Sequence, residues 1–236
     1  DAIIRYLLSA NPKTVVFNNG GSAVEMPWVE QANAIVWGWY GGMEAGHSYA
    51  DVLFGDVNPS GKMPFTLPKK LSDTAPIVLD DYNENDSLYK EGVFIGYRWF
   101  EQQNIEPLFP FGHGLSYTNF TVDKVGLDKT VISAGETITA SVKVTNTGKV
   151  AGAEVIQLYL HDEQASVPRP AKELKGFEKV FLQPGESKTV HLTLTQRDLS
   201  FWDVNTNNWL AEKGQFTAYI STSIKDIKTS TSFNFH

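Results

Sequence analysis

Apolar residues recur at helical spacing from the first residues of the chain, where Ile3, Ile4, Leu7 and Leu8 share a face and Asn11-Pro12 stops the run. Residues 14–17 follow as a short apolar stretch suited to a buried strand, closed by the turn Asn18-Asn19-Gly20-Gly21. The pattern then repeats, with a buried strand at 34–37, a break at Gly41-Gly42 and a helix over 44–54 closed by Gly55. This alternation across residues 1–68 predicts part of an α/β sheet. Two strands alone are marginally stable in water, so the missing strands are expected before residue 1.

Residues 69–116 show no strong period and are rich in Asp, Asn, Pro and Gly, the composition of a long connection running over a surface. From Asn119 onward the period changes to two. Residues 137–144, 155–160 and 190–194 alternate cleanly, with turns at Ala134-Gly135, Thr147-Gly148 and Pro184-Gly185, and 120–125, 174–182, 216–220 and 230–235 complete the set. About seven short strands in a segment of this size suit an immunoglobulin-like or fibronectin type III-like sandwich. The expected organisation is therefore 1–68, part of an α/β domain; 69–118, a connector; and 119–236, an all-β sandwich. No internal repeat of solenoid length is visible.

Composition narrows the function classes. The 236 residues carry 42% apolar and 20% charged side chains, a folded rather than disordered balance. A net charge of −7 lacks the positive field that nucleic acid or anionic lipid requires, so neither is expected as a partner. The absence of cysteine excludes disulfides and thiolate chemistry without fixing a compartment. No apolar stretch approaches a membrane span, and Asp1 opens into a helical pattern without a leader, which predicts a start inside a larger chain. Asn85-Asp86-Ser87 and Asn119-Phe120-Thr121 fit the N-glycosylation acceptor pattern, a short and weakly specific one.

Three stretches resemble family 3 glycoside hydrolases. Residues 50–66, ADVLFGDVNPSGKMPFT, are similar to the segment that closes the family's α/β sandwich domain. Residues 89–100, YKEGVFIGYRWF, followed by 110–118, PFGHGLSYT, resemble the connector into its last domain, and 173–180 with 182–187 resemble the body of that fibronectin-like domain. The motifs occur in the family's order across essentially the whole chain. One departure is Gly41-Gly42-Met43-Glu44-Ala45-Gly46, where the family more often has a Pro-Gly-Gln-Glu-Gly-Gly-like run; Glu44 is kept and Gly41 replaces the proline.

The resemblance implies a retaining, exo-acting β-glucosidase-like hydrolase that releases terminal β-D-glucose, with a β-xyloside as the alternative substrate. Such chemistry needs two carboxylates flanking the scissile bond. In the family the nucleophilic Asp lies near a Ser-Asp-Trp-like motif of an N-terminal barrel and the acid/base Glu in a Glu-Gly-Asp-Arg-like motif of the α/β domain. Neither motif occurs here, so no catalytic residue is assigned, both are expected upstream of residue 1, and this chain alone is expected to be inactive. The implied partners are that barrel, the first half of the α/β domain and a glucoside or oligosaccharide substrate. An extracellular or periplasmic location is favoured. The different-class alternative is a free carbohydrate-binding or adhesion module, disfavoured because half of an α/β domain exposes a sheet edge and an apolar face.

Open α/β sheets bind ligands at the carboxyl ends of their strands, which makes Asn18–Gly21 and the run from Trp39 to Glu44 candidates for a pocket rim, with Trp39 and Glu44 foremost. The plainer reading is that the glycines make turns and Glu44 stabilises the N-terminal end of the next helix. Trp37, Trp39, Trp99, Trp202 and Trp209 could stack on sugar rings, but most read as core, with Trp99 in an apolar connector and Trp202 where packing between strands explains a large side chain more simply. Glu91 and Arg98 are candidates for an ion pair, across a domain interface or on the surface. The histidines His47, His113, His161, His191 and His236 have no metal-ligand spacing, and no cofactor motif is present, so neither metal nor cofactor is expected.

Overall fold

The computed structural model of the chain describes residues 1–81 and 85–236, which divide into two compact units. The first comprises Asp1–Val57, Leu67–Lys90 and Glu106–Leu108, the second Asn58–Thr66, Glu91–Ile105 and Phe109–His236. The stretch 69–118 is thus shared between them.

In the first unit α1 spans Ala2–Ala10 and ends at Asn11, which is extended at φ −145°. Pro12 disfavours helical backbone in the residue before it, which fixes that stop. Strands β1 (Val15–Asn18) and β2 (Ala34–Trp37) pair in parallel, Val15 opposite Ala34 and Asn18 opposite Trp37. A 3₁₀ turn at Gly42–Glu44 leads into α2 (Ala45–Phe54), closed by a left-handed Gly55, and α3 is a single turn at Ala75–Val78. Little of this unit is dry. Leu8, Met26, Trp28, Leu67 and Ala75 are buried, and no residue of α2 is. Ile3, Tyr6 and Phe54 stand 75%, 71% and 85% exposed, so apolar surface of both α1 and α2 faces outward.

The second unit contains the core. A short helix α4 (Tyr97–Gln102) precedes β3 (Phe120–Val122), β4 (Gly126–Leu127), β5 (Val131–Ile132), β6 (Thr137–Asn146), β7 (Gly152–Asp162), β8 (Glu173–Leu182) and β9 (Ser187–Thr195). After the turn α5 (Gln196–Leu199) come β10 (Phe201–Asp203), β11 (Asn208–Leu210), β12 (Gly214–Ser221) and β13 (Ile227–Phe235). Five strands form one sheet in the order β5-β13-β12-β7-β8; in the other, β6 pairs with β3, β4 and β9. All pairs are antiparallel except β13 with β5, as the sandwich reading predicts.

Alternation places Ile138, Ala140, Val142 and Val144 of β6 and Val190, Leu192 and Leu194 of β9 between the sheets. They meet Ile156, Leu158 and Leu160 of β7, Phe216, Ala218 and Ile220 of β12, and Phe233 of β13. Strand β7 departs from its polar-apolar alternation, because Gln157 and Tyr159 on its opposite face are buried too. The residues 91–118 that belong to this unit cover that face. Gln157 Nε2 donates to Gly112 O (3.2 Å) and Thr222 O (2.8 Å), and Tyr97 packs edge-on against Tyr159. Gly112 has φ +79°, and a Cβ there would lie 2.3 Å from Gln157 Oε1, so only glycine allows this approach. Burial, with Tyr97 and Glu101 nearby, raises the Tyr159 hydroxyl above its usual range and keeps it a donor, here to Gln157 Oε1 at 2.6 Å.

Charged groups of the same unit pair as well. Arg169 is 7% exposed and bridges Asp162 (3.0 Å) and Glu173 (2.7 Å), while Glu101 of α4 meets Lys172 (2.6 Å) and Lys225 (2.8 Å). Arg98 pairs with Glu173 at 3.3 Å rather than with Glu91. Backbone N–H of Leu174 donates to the Tyr97 hydroxyl at 3.0 Å, joining α4 directly to β8.

Candidate functional site

The loops at the carboxyl ends of β1 and β2 are tied together by a backbone bond and by the side chains of Trp37 and Tyr49. Gly38 N–H donates to Asn18 O at 2.8 Å, extending the ladder by one residue, and Trp37 Nε1 donates to Gly20 O at 3.0 Å. From the first turns of α2 the Tyr49 hydroxyl reaches both loops, lying 3.2 Å from Asn19 Oδ1 and 3.1 Å from Gly38 O. Its ring packs on Phe17 of β1, centroids 4.2 Å apart. A Cβ on Gly38 would come within 2.2 Å of the Phe17 ring, so this glycine is a packing requirement.

Trp39 follows at φ +53°, left-handed backbone that costs a bulky L-residue about 1–2 kcal/mol. Such strain persists only where the surroundings enforce it, and it clusters at functional sites. Its ring lies 5.9 Å from that of Trp37. Beyond it Tyr40 and Met43 project from the loop and are exposed. Glu44 occupies the N-cap of α2 without a side-chain hydrogen bond to the helix; its Oε2 instead meets His47 Nδ1 at 2.8 Å in an exposed i,i+3 pair. Glu44 therefore acts on the helix end through its charge and the His47 side chain, with no bond to the helix backbone.

The remaining candidates separate from this rim. Trp99 is buried on α4, as its apolar setting predicts. Trp202 and Trp209 lie opposite each other on the β10-β11 hairpin, rings 5.4 Å apart and edge-to-face, with 45% and 44% of their surface exposed. Trp202 does pack between strands, but those of a two-stranded ribbon outside the core. Among the described residues no three His, Asp or Glu side chains converge as metal ligands. Tyr49 is the residue that sequence reasoning missed. The available signal was a tyrosine one turn into a helix that follows a glycine pair, an aromatic body with a polar tip in reach of the preceding loops.

Residues 1–117 match the glycosyl hydrolase family 3 C-terminal domain and residues 154–224 the fibronectin type III-like domain. The chain is 47% identical to thermostable beta-glucosidase B of Acetivibrio thermocellus over 226 residues, which is 95% of this chain and 30% of that protein. It is 47% identical to probable beta-glucosidase I of Aspergillus terreus over 237 residues, 98% of this chain and 28% of that protein. A crystal structure of beta-glucosidase from Kluyveromyces marxianus in complex with glucose superimposes with a TM-score of 0.93 at 42% identity, covering 100% of this chain and 28% of the other. The chain therefore spans less than a third of the length of these relatives.

Proposed function

Because the chain belongs to glycoside hydrolase family 3, of whose enzymes it is a C-terminal portion, we propose that it works within a retaining, exo-acting β-glucosidase that releases terminal β-D-glucose. The observation that carries this reading is similarity to beta-glucosidases along 95% or more of the chain, at 47% identity. On this reading the two catalytic carboxylates come from the barrel and from the first half of the α/β domain, and residues 69–118 connect that domain to the fibronectin-like one. The outward apolar residues Ile3, Tyr6 and Phe54 are then covered by the rest of the enzyme, which removes them from water. Exposed so broadly, they also weigh against a free binding module.

The segment's contribution to the pocket is the rim at Trp39 and Glu44. A strained indole held by its neighbours can present a rigid apolar wall to a pyranose ring, and Glu44 a hydrogen-bond acceptor to its hydroxyls. Aryl β-glucoside hydrolysis tests the proposal: the complete enzyme is expected to turn over and the 236-residue chain alone is not. In the complete enzyme Trp39→Ala should raise KM for the glucoside more than it lowers kcat. Saturable turnover by the isolated chain would overturn the reading, as would a complete enzyme that ignores β-glucosides.

A further inference from the structure

The second unit carries a cleft of about 260 Å³ that the rim does not use. Its charged lining is two ion pairs. Lys62 Nζ lies 2.7 Å from Glu154 Oε1, and Lys228 Nζ lies 2.8 Å from Asp226 Oδ2. Each pair is held from behind. Lys62 also donates to Gly114 O at 3.1 Å, and Glu154 Oε1 accepts the Val155 N–H at 2.7 Å. Asp226 takes the Thr222 hydroxyl, and its own N–H donates to Ser223 Oγ at 3.0 Å, so the 222–226 turn is fastened on itself. Leu115 and Phe120 supply apolar wall, and the exposed Asn119 stands among the lining residues.

Charge and size select the ligand. The two ammonium groups cancel the two carboxylates. Burial, reinforced by Lys62 and only partly opposed by Asp226, holds the lining His113 below the usual imidazole range, which leaves it neutral at physiological pH. An anion entering this cleft meets a carboxylate beside each ammonium, and a cation meets an ammonium beside each carboxylate, so neither gains a net attraction. A neutral polyol does, because each hydroxyl can donate to a carboxylate while accepting from the ammonium beside it. Drug-sized ligands occupy roughly 300–1,000 Å³, so a cleft slightly below that range suits one sugar ring. The apolar wall matches the C–H face of a pyranose.

We propose that this cleft binds a neutral pyranose unit, free or at the end of a glucan, between the Lys62–Glu154 and Lys228–Asp226 pairs. The argument uses the cleft's own chemistry and holds whether or not the hydrolase reading does.

Amide hydrogen exchange on the full-length protein tests it, with glucose, cellotetraose and inorganic phosphate as probes. Glucose is expected to slow exchange saturably in residues 113–120 and 222–228; equal or stronger protection by cellotetraose would identify a chain end as the natural source. Asp226→Asn should raise the half-saturating glucose concentration about tenfold, the size of one charge-assisted hydrogen bond. Asn119→Trp, made at an exposed position, should fill the cleft and abolish the protection without lowering Tm. No protection at high glucose, protection that survives Asn119→Trp, or phosphate acting as well as the sugars would each overturn the proposal. Aryl glucoside turnover, measured in parallel, reports on the hydrolase reading separately.

Discussion

The Thr118 hydroxyl donates to Asn146 Oδ1 at 2.7 Å inside the second unit, and the Asn146 amide has every hydrogen-bonding position occupied. Oδ1 also accepts Gly148 N–H at 3.0 Å, while Nδ2 donates to Val150 O at 2.8 Å and Leu182 O at 3.0 Å. Asn146→Ala should cost about 2–4 kcal/mol, since it strands several buried polar groups at once. Asn146→Asp should cost at least as much, because its second oxygen would face two carbonyl oxygens. Urea unfolding with unchanged m-values measures both; an Asp variant clearly more stable than the Ala variant would contradict the assignment of the amide.

Backbone strain at Trp39 predicts an inversion. Glycine is ordinarily worse than alanine by about 0.5–1 kcal/mol within regular structure. At φ +53° the order should reverse, with Trp39→Gly more stable than Trp39→Ala by about 1 kcal/mol. Thermal unfolding of the two variants side by side decides the sign.

Loss of the Tyr49 hydroxyl should loosen the rim without unfolding the protein. Tyr49→Phe keeps the packing on Phe17 and removes the links to Asn19 and Gly38, for about 1 kcal/mol. Faster hydrogen exchange confined to residues 18–21 and 38–42 is the expected signature. Uniformly faster exchange across the β-sandwich would assign the hydroxyl a different role.

Acid should weaken the second unit through Glu101. Burial raises its carboxyl, but Lys172 and Lys225 outweigh burial and leave it below the ordinary value of 4.5. A carboxyl lowered on folding binds fewer protons in the folded state, so its stabilisation is complete above that ordinary value and is lost as pH falls through the lowered one. Glu101→Gln should be less stable than wild type at pH 7 by about 1–2 kcal/mol, with the exposure of Lys225 limiting the loss. The gap should close on acidification. A gap independent of pH would remove the ion pairs from the explanation.

Much of the fold was legible because its elements follow local rules. Strand β2 runs over 34–37 as its apolar run predicts, β1 lies one residue along from its predicted span, and α2 closes at Gly55. Strands β6 and β9 alternate because one face of each meets the core. On β7 the alternation predicts one dry face, yet Gln157 and Tyr159 are buried because Gly112 and Tyr97 arrive from distant sequence to cover them. Trp202 illustrates the converse, since a large side chain expected to pack between strands does so against Trp209 across a two-stranded ribbon outside the core, a pairing no local pattern announced. In the rim, Trp39 could be singled out from its place after a strand. Its strain and the Tyr49 bonds could not, because contacts 11 and 30 residues apart leave no periodic trace.

The interleaving of the two units also bears on how such a protein can be inherited. The chain passes from one unit to the other after Val57, Thr66, Lys90, Ile105 and Leu108. A genetic crossover at any one of these points hands part of at least one unit to a foreign partner. Exchange between relatives by a single recombination event therefore breaks native packing wherever it falls in this stretch, and the two units are expected to travel through evolution together.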